Sequence, residues 1–245
     1  MIAFGDTNVG LKRSINQDFI FLSEDKIGKL PNLFIVADGM GGHKAGDVAS
    51  RKGVELFVDF VRTTDMTDPV NIIDAGIKIA NDAVFEMSLS NPDFDGMGTT
   101  FVVASVIENR VYIANVGDSR LYLINDNIVQ ITRDHSLVEE MVNMGELERD
   151  AARTHTKKNI ITRAVGVERN VLADIFQIEI ERGDKLLLCS DGLSNMVEDY
   201  DIKKIVNGNS SLRDAVRILI DKANENGGRD NISVVLLEPE IGGRL

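Results

Sequence analysis

A chain of 245 residues with ordinary apolar (43%) and charged (27%) fractions can bury a large core, and its single cysteine, Cys189, excludes an internal disulfide framework. A formal charge of −12 leaves no basic surplus to neutralise phosphates, which argues against nucleic-acid binding. No apolar run approaches the roughly 20 residues of a membrane span, so no membrane insertion is expected. Residues 1–6 lack the basic-then-apolar order of a signal peptide, and with one cysteine a reducing cytoplasmic location is expected. Only four prolines and no linker-like stretch occur, so one domain over 1–240 is expected, with a short tail at 241–245.

In chain order, the run 19–22 reads as a strand entered through Asp18. The run 33–37 is an apolar strand closed by Asp38 and followed by Gly39, Met40, Gly41, Gly42 and His43. Two helical stripes come next, one through Ala45, Ala49, Phe57 and Val61, the other through Ile72, Ile73, Ile77, Ala80 and Val84, with Pro69 near the start of the second. Four short strand-like runs then occupy 101–107, 110–116, 120–124 and 128–132. Their breaks, at Glu108-Asn109, Gly117-Asp118-Ser119 and Asn125-Asp126-Asn127, are short enough to suit an antiparallel meander, since parallel strands need long crossovers. Residues 133–163 are charged and irregular around a short helical piece (Leu137, Val138, Met141, Val142), and read equally as a functional insertion or a plain surface excursion. The run 186–190 is closed by Asp191. A third stripe, Leu212, Ala215, Val216, Leu219, Ile220 and Ala223, has Ser210 or Ser211 as its N-cap, and Asp230 opens onto the run 232–237. Paired helices beside antiparallel strands point to α+β layers.

The recurring feature is a carboxylate at the edge of an apolar strand: Asp18, Asp38, Asp118, Asp191 and Asp230. Strand ends hold such groups rigidly, and gathering that much negative charge is costly without a cation. Oxygen donors of this type suit Mg2+ or Mn2+, not zinc. Asp38 can bridge two ions while Gly39 leaves its carbonyl unshielded. Two ions about 4 Å apart can share and activate one water. Asp191 and Asp230 would complete one ion, Asp118 would hold a third, and Arg13 offers a fork for phosphate oxygens. Taken singly, an Asp-Gly pair is more often a turn and a lone arginine a solvated surface residue. It is the repetition that carries the reading.

Other chemistries fit worse. A cysteine-dependent phosphatase would need an arginine at position 195, which is Asn195. Asp93-Phe94-Asp95-Gly96 resembles an aspartyl-phosphate motif but lacks the strand before it. A dinucleotide-binding loop after Ala37 would need glycine where Lys44 stands, and neither a phosphate-binding Gly-x-x-x-x-Gly-Lys loop nor a Gly-x-Ser-x-Gly elbow occurs.

Six blocks in order, Arg13-x-x-Asn16-Gln17-Asp18, Val36-Ala37-Asp38-Gly39-Met40-Gly41-Gly42-His43, Gly98-Thr99-Thr100, Gly117-Asp118-Ser119-Arg120, Ser190-Asp191-Gly192-Leu193 and Arg229-Asp230-Asn231-Ile232-Ser233, resemble the metal-dependent protein serine/threonine phosphatases of type 2C in their compact bacterial form. The resemblance spans residues 5–237. It implies a four-layer α-β-β-α sandwich with two central antiparallel sheets and a flap insertion over 133–163, binding two Mn2+ or Mg2+ ions and a third. It implies that Asp38 bridges the pair, that the Gly39 carbonyl ligates one ion, that Asp191 and Asp230 ligate the other, and that Asp118 serves the third. Asp18 resembles a position acting through metal-bound water, and Arg13 the phosphate-binding arginine. Gln17, His43, Asn195 and Asn231 are expected to support these groups from behind. Gln17 stands where many relatives have Glu, and Asn195 where an acid is common. Met40 replaces a histidine often proposed as the acid for the leaving alcohol, so a metal-bound water is as good a candidate for that role as His43. The implied reaction is direct hydrolysis of phosphoserine or phosphothreonine by the bridging water, with no phosphoenzyme. The implied partners are phosphorylated proteins, a serine/threonine kinase among them, met by a monomer. The competing reading is a catalytically weak or inactive regulatory domain of the same fold.

Overall fold

The computed structural model describes residues 1–42, 45–153 and 155–241. Its first half runs β1 (Ile2–Asn8), β2 (Asp18–Ser23), β3 (Leu33–Met40), α1 (Ala45–Thr63), α2 (Pro69–Ser90), β4 (Gly98–Thr99), β5 (Phe101–Ile107), β6 (Arg110–Val116), β7 (Arg120–Ile124) and β8 (Ile128–Gln130). The second half runs α3 (Leu137–Asn143), α4 (Arg149–Ala152), β9 (Asp174–Glu179), β10 (Lys185–Cys189), α5 (Asp191–Ser194), α6 (Asp199–Gly208), α7 (Leu212–Glu225) and β11 (Ile232–Glu238). One antiparallel sheet is ordered β1-β11-β10-β7-β8, the other β2-β3-β5-β6-β9, with β4 paired to β3.

Strand alternation explains the layers. In β3, Leu33, Ile35 and Ala37 pack under α1 and α2, whereas Phe34 and Val36 face the other sheet. In β10, Leu187 and Cys189 pack against α6 and α7, while Leu186 and Leu188 face the space between the sheets. Central strands are covered on both faces, so they read as unbroken apolar runs. β9 alternates exposed and half-buried residues because it is an edge strand. Helix α2 starts at Asp68, whose carboxylate accepts from Asn71 N–H ahead of Pro69. Ser211, not Ser210, caps α7. Among the described residues no helix is long and apolar enough to cross a membrane.

The expected four-strand meander over 101–132 is corrected. β5 and β6 pair in one sheet, β7 and β8 in the other, and β6 does not pair with β7. The chain changes sheets at Gly117, whose φ of 106° suits only glycine and whose missing Cβ leaves room for Thr100. That corner carries Asp118 to the open end of the sandwich. Between β8 and β9 lie α3, α4 and the rest of the insertion, moored at its base by a bidentate Arg120–Asp134 pair and by Leu137 N–H donating to the Ile160 carbonyl.

Candidate active site

The alternation that fills the core also builds the site. On strand after strand, the last residue of the row facing the opposite sheet is polar: Thr7, Asp18, Asp38, Thr100, Ser119, Ser190 and Ser233 continue rows whose deeper members include Ala3, Ile20, Val36, Val102, Leu121, Leu188 and Val235. A ring of hydroxyls and carboxylates therefore closes one end of the inter-sheet core. Asp18 and Asp38 are direct cross-strand partners in β2 and β3. Ser190 Oγ donates to Asp18 Oδ2 (2.8 Å) and accepts from Ser233 N–H (3.0 Å). Thr7 Oγ1 and Ser233 Oγ share a hydrogen bond of 2.7 Å, and Asn16 Nδ2 donates to the same Thr7 oxygen at 2.9 Å.

Asp38 is held through its backbone. Its N–H donates to Thr100 Oγ1 (2.9 Å), and its carbonyl accepts from Thr100 N–H (2.8 Å) and Thr99 Oγ1 (3.0 Å). Gly39 N–H donates to the Gln17 carbonyl (3.1 Å), and a Cβ on Gly39 would strike the Gly46 carbonyl oxygen. Asp191 starts α5, not a free turn, and a Cβ on the following Gly192 would strike the Asn231 carbonyl oxygen. Asn195, one turn on, donates through Nδ2 to Asp191 Oδ2 (2.8 Å), and Lys158 of the insertion donates to Asn195 Oδ1 (3.1 Å). Asn231 is a hub. Its Oδ1 accepts from Gln17 N–H (2.8 Å), and its Nδ2 donates to the Val9 (2.9 Å) and Ile15 (3.0 Å) carbonyls.

Asp38, Gly39, Asp118, Asp191 and Asp230 line one cavity of about 280 Å³ together with Arg13, Gln17 and Asn231. Asp18 lies just behind it, buried against Ser190. Asn195 lines a neighbouring chamber of about 520 Å³ that shares Asp118 and Asp191 with the cleft. Arg13 is exposed and donates from Nη2 to Asp230 Oδ2 (2.8 Å). His43 lies outside the described residues.

Burial pushes Asp18 up to about 7 and Asp191 up to about 6, with neighbouring carboxylates adding to each. Burial first, and then the other aspartates, hold Asp38 and Asp118 well above the usual carboxylate range. Asp18 Oδ1, Asp118 Oδ1 and Asp191 Oδ1 are buried without a hydrogen-bond partner. Unpaired buried oxygens of this kind are costly, and an all-oxygen set suits a hard divalent cation. Among the described residues no group of three His, Cys, Asp or Glu side chains is drawn in tightly enough to hold an ion ready-made.

Residues that entered the sequence analysis only as motif members, or not at all, position the site. Thr100 and Ser190 are the backbone and side-chain anchors of Asp38 and Asp18. His135, buried, accepts at Nδ1 from Gly117 N–H (3.0 Å) and donates its own N–H to the Gly117 carbonyl (2.9 Å), bracing the corner before Asp118. The signal for the polar ring was present, as the first polar residue of inward parity on each strand. Nothing local marks His135.

Helices cover the outer faces of the two packed sheets, and the acidic cleft with Arg13 at its rim opens at one end of this sandwich. Residues 11–236 match the family described as Protein phosphatase 2C. The chain is 42% identical over 240 residues to the serine/threonine phosphatase stp of Listeria monocytogenes, covering 96% of this chain and 94% of that protein. The crystal structure of serine/threonine phosphatase Stp1 from Staphylococcus aureus superposes with a TM-score of 0.91 at 35% identity, covering 97% of this chain and 94% of that one. The catalytic domain of the phosphatase PstP, crystallised in complex with two manganese ions, superposes with a TM-score of 0.85 at 31% identity over 97% of each chain. The chain belongs to the protein phosphatase 2C family and is a protein phosphatase of that type.

Proposed function

We propose that this protein hydrolyses phosphoserine and phosphothreonine monoesters on proteins at a Mn2+ or Mg2+ centre in the acidic cleft. The observation that carries the reading is the set of unpartnered, buried carboxylate oxygens of Asp18, Asp118 and Asp191 around the cavity that Asp38 also lines. Asp38, the Gly39 carbonyl, Asp191 and Asp230 would hold two ions, Asp118 with Asp191 a third, and Asp18 would act from behind. Such ions, when bound, lower the pKa of water and withdraw charge from phosphoryl oxygens. The two-manganese structure of the PstP catalytic domain supports a metal centre in this fold.

The chain's own residues do the rest. Arg13 sits at the rim and is tied at one nitrogen to Asp230. A solvent-exposed pair of this kind is worth only about 0–1 kcal/mol, so a phosphate can draw the guanidinium away. Its planar fork matches phosphate oxygens and stabilises charge on them as the ester bond breaks. Gln17 and Asn231 hold the loop that carries Arg13, and Thr99 and Thr100 fix the backbone of Asp38. Substrates of this class are the products of serine/threonine kinases, so a kinase and its targets are the partners this reading names.

The test is release of phosphate from phosphoserine and phosphothreonine peptides with Mn2+ and with chelator. Turnover that needs the ion and is lost in Asp38→Asn supports the reading. Well-folded protein that binds Mn2+ without hydrolysing any phosphomonoester would point to the regulatory alternative.

A further inference from the structure

An apolar recess adjoins the cleft. It has a volume of about 130 Å³, and Met40, Ile161, Ala164, Val167 and Val171 supply its apolar wall. Met40 and Ile161 also line the cleft, so the two spaces share a partition. Along the same segment, Ile160 and Val167 are each 46% exposed and Leu172 is 72% exposed, a concentration of large apolar side chains facing water. The opposite flank differs in kind. The chamber of about 520 Å³ is walled by matched charges, including Arg120 with Asp134, Arg149 with Glu139 and Arg153 with Glu198.

The recess is built, not incidental. Buried Asn81 pins its wall three times, accepting from Gly166 N–H (2.8 Å) and donating to the carbonyls of Glu168 (3.0 Å) and Arg169 (3.2 Å). Val165 and Thr99 exchange backbone hydrogen bonds of 2.9 Å, and Arg163 Nη1 bonds the Leu172 carbonyl (3.0 Å) and Asp174 Oδ1 (2.7 Å). These bonds fix the backbone that carries the apolar wall, while Thr162, Arg163, Glu168 and Asn170 complete the lining as a polar margin. A Cβ on Gly98 would lie 2.6 Å from Val167 Cγ2 and 3.4 Å from Met40 Cε, so a glycine there leaves room for both side chains. A fixed wall lowers the ordering cost of a bound side chain.

We propose that this recess is a subsite for one aliphatic side chain of the phosphorylated segment, close to the phosphoresidue. The inference rests on the phosphatase reading, because only a phosphate seated in the cleft brings a flanking side chain to the shared partition. A pocket of this chemistry selects by apolar contact, and one well-seated aliphatic group is worth about 10-fold in kcat/KM.

The experiment walks a single leucine along an otherwise Gly/Ser phosphoserine peptide and measures kcat/KM with Mn2+ for wild type and Val167→Asp. Val167 is half exposed, so the substitution is compatible with folding, and melting temperature checks this. The expected result is one leucine position favoured about 10-fold in wild type and levelled in Val167→Asp. p-Nitrophenyl phosphate, too small to reach the recess, is hydrolysed equally by both proteins. A flat leucine scan in wild type, or a preference that survives in a folded Val167→Asp, overturns the subsite. Loss of turnover on p-nitrophenyl phosphate in wild type itself would overturn the phosphatase reading and the subsite with it.

Discussion

Removing the Asn231 side chain tests whether one buried amide holds the loop that carries Arg13 to the acidic strand ends. Asn231 is 4% exposed and joins three backbone groups of the 9–17 loop, at Gln17 N–H, Val9 C=O and Ile15 C=O. At about 1 kcal/mol per hydrogen bond, Asn231→Ala costs about 3 kcal/mol. In a chain of this size each kcal/mol moves Tm by about 2–4 °C, which gives a fall of about 6–12 °C. The loop carries Arg13, and its Gln17 carbonyl accepts from Gly39 N–H (3.1 Å) and Ser50 Oγ (2.6 Å). Well below melting, KM for a phosphopeptide should therefore rise more than kcat falls. Asn231→Asp separates hydrogen bonding from shape. It keeps the acceptor for Gln17 but sets an oxygen against two carbonyl oxygens beside Asp230, so it should be at least as damaging as alanine. Thermal melts and steady-state kinetics with Mn2+ decide the matter. A Tm within about 2 °C of wild type for Asn231→Ala, or a stable Asn231→Asp, would refute the reasoning.

Three further outcomes are expected. Asp38→Asn should leave the metal-free protein folded, since burial and its neighbours already favour the neutral carboxyl, while Mn2+ ceases to raise Tm and turnover falls by about 100-fold or more; an undiminished Mn2+ effect on Tm would exclude Asp38 as a ligand. With Asp18 raised to about 7 and Asp191 to about 6, both bind protons more readily in the fold than in the unfolded chain. Those two groups therefore make the metal-free protein less stable as pH rises from the ordinary carboxylate range toward about 7, and cations must displace protons below it. Mn2+ affinity measured by calorimetry should weaken steadily from about pH 8 to about pH 5.5, and a flat profile would contradict the coupling. Lys158→Ala breaks the path from the insertion through Asn195 to Asp191. It should speed amide exchange around 155–161 in the metal-free protein and weaken Mn2+ binding several-fold; unchanged exchange would show that Lys158 does not moor the insertion.

Local sequence carried a great deal here. The helical stripes of α1, α2 and α7 and the apolar runs of β3, β5, β6, β7, β10 and β11 follow from residue periodicity, because each buries a continuous row. β9 and α6 were not legible to the same reading: an edge strand alternates weakly, and a helix of ten residues with two buried positions leaves little stripe. The aspartates were conspicuous because each interrupts an apolar strand edge, a purely one-dimensional signal. Their order along the chain does not say which face each one takes. That depends on pairing register, which sets Asp18 opposite Asp38, and on the sheet change at Gly117, which turns a plausible meander into two hairpins and swings Asp118 to the open end. Sequence by itself determined which stretches are apolar strands and amphipathic helices and which charged groups end them, since burial periodicity and side-chain chemistry are local properties. Only the tertiary structure decided that those groups face one cavity, that Asn231 and His135 hold them there, and that an apolar recess lies alongside, because hydrogen bonds between residues far apart in the chain exist only once the two sheets have packed.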